Sequence, residues 1–311
     1  MEADLKAKYL GGMVGSALGD ALGELAFWNP ERKRLCALVE RLEELTYTDD
    51  TAMAIGLAAS ILEKRGIDQQ HLGDTFSRNF NREPWRGYAP GPPAVFSLVR
   101  SGGISYVEAA RSLFEGAGSL GNGAAMRIVP VGLVFHDSDC LYEVAVASAE
   151  VTHAHPVGKD GAAVLARAIA QAVKLSPESN IPGELFTQRL IDFARTEEIR
   201  RKMELVRTLI REEAPPARAA PLLGRSVAVD ESMPFAIYSF LRHPKSFEEC
   251  LFCATLSGGD RDTLGAMACA ISGAHLGLEA IPHSWRQKLE NRPTIERLAS
   301  SLHELTRSAL P

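Results

Sequence analysis

The sequence predicts an all-α protein folded as a single compact multi-helix domain over residues 1–311. Apolar residues recur at three- and four-residue spacing through most of the chain, as buried or amphipathic helices require. Period-two alternation, the mark of a half-buried strand, is almost absent. Between the periodic stretches lie short segments rich in Gly, Pro, Asn and Asp, which end helices and form turns. With 311 residues, 46% of them hydrophobic, the chain can bury a large core divided among about a dozen helices.

In chain order, the first helical stretch is Gly11 to Gly23, crowded with Gly, Ala and Ser. Small side chains let helix axes approach closely, which marks a central helix. Thr51 to Leu62 carries the next clear helical period. The closely spaced glycines of Gly116 to Gly123 then lead into the apolar run Ala124 to Phe135, and Ala162 to Val173 follows with a helical period. A charged helix is expected from about Glu197 to Glu213. Pro215 to Pro221 reads as a surface loop inside the domain, and helical texture resumes at Asp230. Thr263 to Leu278 completes the series, and its small-residue segment Gly265 to Gly277 predicts a second central helix.

The formal net charge of -5 gives no general electrostatic reason to bind nucleic acid or anionic lipid, so an anionic ligand needs local help. Met1-Glu2-Ala3-Asp4 places acids where an export signal needs a basic stretch, and no apolar run approaches about 18 residues. A soluble, cytoplasmic protein is expected, with no signal for its oligomeric state. The five cysteines, Cys36, Cys140, Cys250, Cys253 and Cys269, make an odd count that argues against a disulfide framework. Cys250 and Cys253 have the spacing of a redox or zinc half-site, but no second pair or nearby His completes it, and they lie in a helix-like apolar stretch. They read as small buried hydrophobes.

Two acidic clusters near opposite ends of the chain carry the chemistry: Thr48-Asp49-Asp50-Thr51 and Gly259-Asp260-Arg261-Asp262-Thr263. Adjacent carboxylates repel, and each is driven toward protonation unless a cation or hydrogen-bond donors offset the charge. Hard oxygen donors select magnesium, calcium or manganese over zinc. Thr and Asp also cap helix N-termini, and both clusters precede helical patterns, so capping is the competing explanation for either alone. The two uses are compatible. The glycines of Gly116 to Gly123 let backbone approach a ligand, and N–H groups at a helix start attract phosphate. No Lys follows in the manner of a P-loop. Arg86 to Pro92 reads as a fixed loop that either walls a pocket or merely connects. His153 and His155 are spaced so that they cannot easily share one metal.

Taken in order, these segments resemble the ADP-ribosylglycohydrolase family. The matching stretches are Gly15 to Gly23, Tyr47 to Met53, Arg86 to Tyr88, Gly118 to Gly123 with Met126-Arg127, Thr152 to Ala154, Ala236 to Tyr238 with Phe240 to Arg242, and Gly258 to Thr263. They look most like the branch acting on serine-linked ADP-ribose, poly(ADP-ribose) and O-acetyl-ADP-ribose. The resemblance implies an all-helical domain with a cleft for two Mg2+ ions. Thr48, Asp49 and Asp50 would hold one ion, Asp260 and Thr263 the other, and Asp262 would serve both. Gly118, Ser119, Leu120, Gly121 and Asn122 would lie at the diphosphate, Phe114 would stack on adenine, and Gly87 and His153 would line the cleft. Asp49, Asp50 and Asp262 are the implied catalytic carboxylates.

Three positions depart from the family pattern. The family usually places a Glu seven residues after the Asp of its Gly-Asp-Ala-Leu-Gly segment, and here that position is Phe27. Glu24 either supplies the missing catalytic carboxylate or is a solvated surface acid. Arg261 stands between the two aspartates where a smaller residue is commoner, and Leu120 replaces an aromatic of some relatives. The implied partners are ADP-ribose and ADP-ribosylated proteins or metabolites. Hydrolysis of ADP-ribosyl-arginine, and a reader or structural protein without catalysis, are the competing expectations.

Overall fold

The computed structural model describes residues 2–308; Met1 and residues 309–311, which the expected domain also takes in, lie outside the described residues. Among the described residues seventeen α-helices follow one another: α1 (Glu2–Trp28), α2 (Arg32–Arg41), α3 (Asp49–Lys64), α4 (Gln69–Arg82), α5 (Gly91–Gly102), α6 (Tyr106–Ser112), α7 (Val129–Val134), α8 (Leu141–Glu150), α9 (Pro156–Lys174), α10 (Gly183–Phe193), α11 (Glu197–Arg211), α12 (Pro216–Leu223), α13 (Val229–Arg242), α14 (Phe247–Leu256), α15 (Arg261–Leu276), α16 (His283–Lys288) and α17 (Arg292–Arg307). The count exceeds the dozen expected because short helices such as α6, α7 and α16 are too brief to show a period in sequence. Among the described residues there is no strand, only isolated bridges joining Leu45 to Leu289 and Gly121 to Ala228.

Pro215 to Pro221 is not a surface loop. Pro215 is the N-cap of α12, Pro216 opens the helix, and Ala219, Ala220 and Leu223 are buried. A proline at the first helical position loses no bond, because that N–H has no partner inside the helix. Burial of the alanine face carries the short helix through Pro221.

The two small-residue stretches do form the centre. Among the described residues, helix α1 packs against α15 more extensively than any other two elements pack together. The register is antiparallel: a Cβ on Gly19 would overlap the carbonyl of Gly265, and one on Gly23 would lie 2.5 Å from the Asp262 Cα. Only glycine permits the backbones to approach this far. The contact fixes where the last turns of α1 meet the first turn of α15. That meeting point, together with the start of α3, is where both acidic clusters lie.

Candidate metal and ligand cleft

Asp20 on α1 is fully buried, and its carboxylate organises the first cluster. It accepts hydrogen bonds from the Thr48 N–H (3.1 Å), the Thr48 hydroxyl (2.8 Å), the Thr51 N–H (3.0 Å) and the Thr51 hydroxyl (2.6 Å). Thr48 is the N-cap of α3, and its oxygen accepts from the Asp50 N–H at 3.4 Å. Capping therefore holds for this cluster, and it occupies Thr48 and the backbone while Asp49 and Asp50 stand in the first turn, their carboxylates not used in the cap. At the second cluster Asp260 is the N-cap position of α15 but makes no side-chain cap bond. Asp262 follows in the first turn, accepting from the Thr263 N–H at 2.9 Å.

The fold brings the two clusters together. The Thr263 hydroxyl lies 3.4 Å from Asp50 Oδ1, joining the starts of α15 and α3. Burial drives the Asp50 carboxyl well above its ordinary value, and the charges of Asp20, Asp262, Asp49 and Asp260 push it further. Burial likewise raises Asp49 to about 7, with Asp20 and Asp260 adding to the shift, and raises Asp262 to about 8, with Asp260 and Asp20 adding. Even Asp20, with its threonine donors, is pushed up to about 6 because desolvation outweighs them. No group of three or more His, Cys, Asp or Glu side chains among the described residues is gathered tightly enough by itself to hold an ion. Carboxylates that share a buried space without a cation repel one another.

One atom tests whether the residues suit a cation. Asp50 Oδ2 is the only carboxylate oxygen among the described residues that is buried with no hydrogen-bond partner. A buried acceptor left unpaired is costly, and a buried charge more so. The surrounding donors are carboxylate and hydroxyl oxygens, the set a hard divalent cation takes. The site fits such an ion.

The remaining expected residues fall around this centre. Gly87 has φ of +90°, and a Cβ there would lie 3.8 Å from Asp49 Oδ1. Arg86 fixes that loop from behind: it makes two 2.7 Å bonds to Glu290 and lies over the Tyr47 ring, while its carbonyl accepts from the Asp49 N–H at 2.7 Å. Asn122 is committed elsewhere than expected, donating to Asp260 Oδ2 at 2.6 Å and to Ser232 at 3.1 Å. It links the glycine-rich loop to the second acidic cluster. Gly121 N–H takes the Ser119 hydroxyl, whereas the Ser119 and Leu120 N–H groups have no partner among the described residues. Gly118 adopts φ of +74° against Ala154 and His155, a conformation and closeness that exclude a side chain.

His153 lies against this loop, its Nδ1 bonded to the Thr152 hydroxyl at 2.8 Å. Burial holds its pKa down near 3, with the Arg127 charge adding to the effect, so the ring is neutral at ordinary pH. His155 instead caps α9 through its ring, accepting from the Val157 N–H, so the two histidines diverge. Phe114 is 62% exposed with φ of +53°, an apolar ring held in solvent by a strained backbone. Leu120, further along the glycine-rich loop, is also exposed.

Glu24 is half-buried and stands one turn after Asp20, close enough for its charge to bear on Asp262. Phe27 is exposed in the last turn of α1. Arg261 turns away from both neighbouring aspartates and donates to the Thr255 carbonyl at 2.5 Å, at the end of α14.

Asp20, Thr51 and Arg127 were missed as site residues. An acid inside an otherwise apolar, glycine-rich helix was the available signal for Asp20. Arg127 is fully buried and donates to Gly123 O, Ser148 O and Thr152 Oγ1, tying the glycine-rich loop to the His153 turn.

The family model described as ADP-ribosylglycohydrolase matches residues 1–310. The ADP-ribosylhydrolase ARH3 of Xenopus tropicalis is 32% identical, over 96% of this chain and 95% of its own length. The Homo sapiens ADP-ribosylhydrolase ARH3 is 34% identical, over 86% and 80% respectively. A solved structure described as an ADP-ribosylglycohydrolase-related protein complex superposes with a TM-score of 0.74 at 26% identity, covering 98% of this chain and 99% of that one. The chain therefore belongs to the ADP-ribosylglycohydrolase family, on its ARH3-like branch, and is a hydrolase of glycosidic bonds to ADP-ribose.

Proposed function

We propose that this protein is a magnesium-dependent hydrolase that cleaves the bond at ribose C1″ of serine-linked ADP-ribose, poly(ADP-ribose) or O-acetyl-ADP-ribose and releases ADP-ribose. The observation that carries the metal dependence is the unpartnered, buried Asp50 Oδ2 inside a cluster of carboxylates whose charges oppose one another. The substrate class rests on the similarity to ADP-ribosylhydrolase ARH3 proteins.

Thr48, Asp49, Asp50, Asp260, Asp262 and Thr263 are the residues that would hold Mg2+. The bound metal would supply Lewis-acid stabilisation of charge developing at the distal ribose. The chain's own groups do the rest. Asp20 holds Thr48 and Thr51 so that the first turn of α3 presents Asp49 and Asp50 in a fixed orientation. The partnerless Ser119 and Leu120 N–H groups are donors suited to a diphosphate, and the neutral His153 leaves that region free of a further titrating charge. The exposed Phe114 ring offers a face for adenine. Glu24, beside Asp262 and one helical turn from Asp20, serves the proton transfer that Phe27 cannot. Water adds at C1″, the bond to the leaving oxygen breaks, and that oxygen takes a proton.

The test is release of ADP-ribose from serine-linked, arginine-linked and O-acetyl conjugates, each with magnesium and with chelator. Magnesium-dependent release from the serine-linked or O-acetyl substrate is expected. Release from the arginine-linked substrate alone would transfer the assignment to that linkage, and tight ADP-ribose binding without turnover would defeat catalysis altogether.

A further inference from the structure

Helix α1 runs past the acidic cleft and ends in two aromatic residues. Gly15, Gly19 and Gly23 meet α15 at Cys269, Gly265 and Asp262 in turn, so the next turn of α1 passes the Gly258-Gly259 bend that leads into α15. That turn carries Phe27, 41% exposed, and Trp28, 85% exposed. Phe27 stands seven residues after Asp20, two turns on along the same face and roughly 10 Å away. Side chains on a helix lean toward its N-terminus, which here is the direction of Asp20 and Glu24. One exposed aromatic residue needs no explanation, but two adjoining ones beside a polar cleft mark a contact surface.

The same bend gathers two cations. A Cβ on Gly258 would lie 3.1 Å from Arg225 Nη1 and 4.0 Å from Arg261 Nη2, so both half-buried guanidinium groups converge on it. Arg225 reaches it from a segment that joins two parts of the site: the Arg225 carbonyl accepts from the Asp260 N–H at 2.8 Å, and the Val227 carbonyl accepts from the Asn122 N–H at 2.9 Å. Arg261 bonds the Thr255 carbonyl. Neither arginine has an ion-pair partner among the described residues, and Glu231, packed against Gly224, accepts from the Ser226 N–H instead. Burial lowers the Arg261 pKa and the Arg225 charge adds to the shift, as expected of like charges with no anion between them.

Phe114 and the glycine-rich loop take one adenosine diphosphate in the reading above, that of the ADP-ribose released. In poly(ADP-ribose) the leaving oxygen is the 2′-oxygen of another adenosine, so a second adenine and a second diphosphate stand beside the scissile bond. A serine side chain or an acetate brings neither. We propose that Phe27, Trp28, Arg225 and Arg261 form a subsite for this second adenosine diphosphate, one that rests on the hydrolase reading above and makes poly(ADP-ribose) the preferred substrate. The rings stack on the base, and the guanidinium groups grip the diphosphate. Phe27, standing where the family usually has Glu, replaces a charge that would repel phosphate with a ring that receives adenine.

The test compares kcat/KM of the full chain with magnesium on a two-unit ADP-ribose oligomer and on a serine-linked ADP-ribosyl peptide. The parent protein is expected to favour the oligomer by about tenfold or more, the scale of one stacked base. Phe27→Ala and Arg225→Gln should each remove most of that preference and leave turnover of the serine-linked peptide unchanged. Calorimetric titration of the full-length Asp50→Asn variant with the oligomer and with ADP-ribose reads the subsite without turnover: the oligomer should bind more tightly, and adding Phe27→Ala should erase the difference. A parent protein that releases ADP-ribose from no conjugate defeats the hydrolase reading and leaves this titration to decide the subsite. Equal affinity for the two ligands, a loss in the Phe27→Ala or Arg225→Gln variant that falls equally on both substrates, or a parent dimer that Phe27→Ala dissociates, overturns the subsite.

Discussion

At the scale of single residues, the cleft is a set of charges held in place against their own repulsion. Asp50→Asn keeps the shape of the side chain while removing the charge that finds no partner. We expect it to lower turnover by orders of magnitude and yet, in chelator at pH 8, to melt no lower than the parent protein, because a buried unpaired charge is a cost to the fold. A variant that is both inactive and strongly destabilised in chelator would show that Asp50 is structural. Asp20→Ala has the opposite profile. It strips the acceptor from the hydroxyl and amide donors of Thr48 and Thr51, and should cost about 2–3 kcal/mol in denaturant titration as well as activity. Glu24→Gln separates the two readings of that acid: a loss of kcat with intact ADP-ribose binding marks proton transfer, and unchanged kcat removes it from the mechanism. The paired threonines and aspartates were legible in sequence because Thr-Asp-Asp-Thr is a dense and unusual motif. Asp20's hold on Thr48 and Thr51 was not, since it acts across 28 and 31 residues of chain, and nothing local in the sequence announces such a contact. Asn122 shows the same limit: its place in the glycine-rich loop suggested a phosphate ligand, whereas its amide reaches Asp260 from 138 residues away.

At the scale of elements, the site depends on how closely α1 and α15 approach. Gly19→Ala places a methyl group on the Gly265 carbonyl, and overpacking of this kind typically costs about 1–3 kcal/mol. Because the same interface sets the spacing between Asp20 on α1 and Asp262 on α15, the variant should also lower activity by more than its stability loss explains. An activity that falls only in proportion to the folded fraction, measured by calorimetry at the assay temperature, would uncouple the helix contact from the site. The central helices were readable from their glycine and alanine content, as was helix α11 from its charged period. Helix α12 was not, because Pro215, Pro216 and Pro221 speak locally for a loop. Burial of Ala219, Ala220 and Leu223 decides the matter only once the rest of the fold is present.

At the scale of the whole molecule, the acidic cleft makes stability depend on pH and on cation. Asp20, Asp49 and Asp262 have folded pKa values raised to about 6, 7 and 8, from a starting value of 3.8. The folded protein holds these protons where the unfolded chain has released them, so their contribution is fully present below pH 3.8 and is lost as pH rises to about 8. His153 runs the other way: its folded pKa is lowered from 6.5 to about 3, so it adds stability as pH rises through that interval and nothing more above 6.5. In chelator the melting temperature should therefore fall between pH 6.5 and 8, and magnesium should restore it most at the upper end. The all-α domain itself followed from periodicity alone, whereas the meeting of two acidic clusters from opposite ends of the chain came from resemblance, since periodicity reports on neighbours in sequence and not in space. The most direct test of the central claim is calorimetric titration of Mg2+ into chelator-stripped protein, alongside Asp50→Asn and Asp262→Asn. The account predicts saturable binding of two ions per chain, with heat lost in both variants; an absence of binding, or binding that both variants retain, would contradict it.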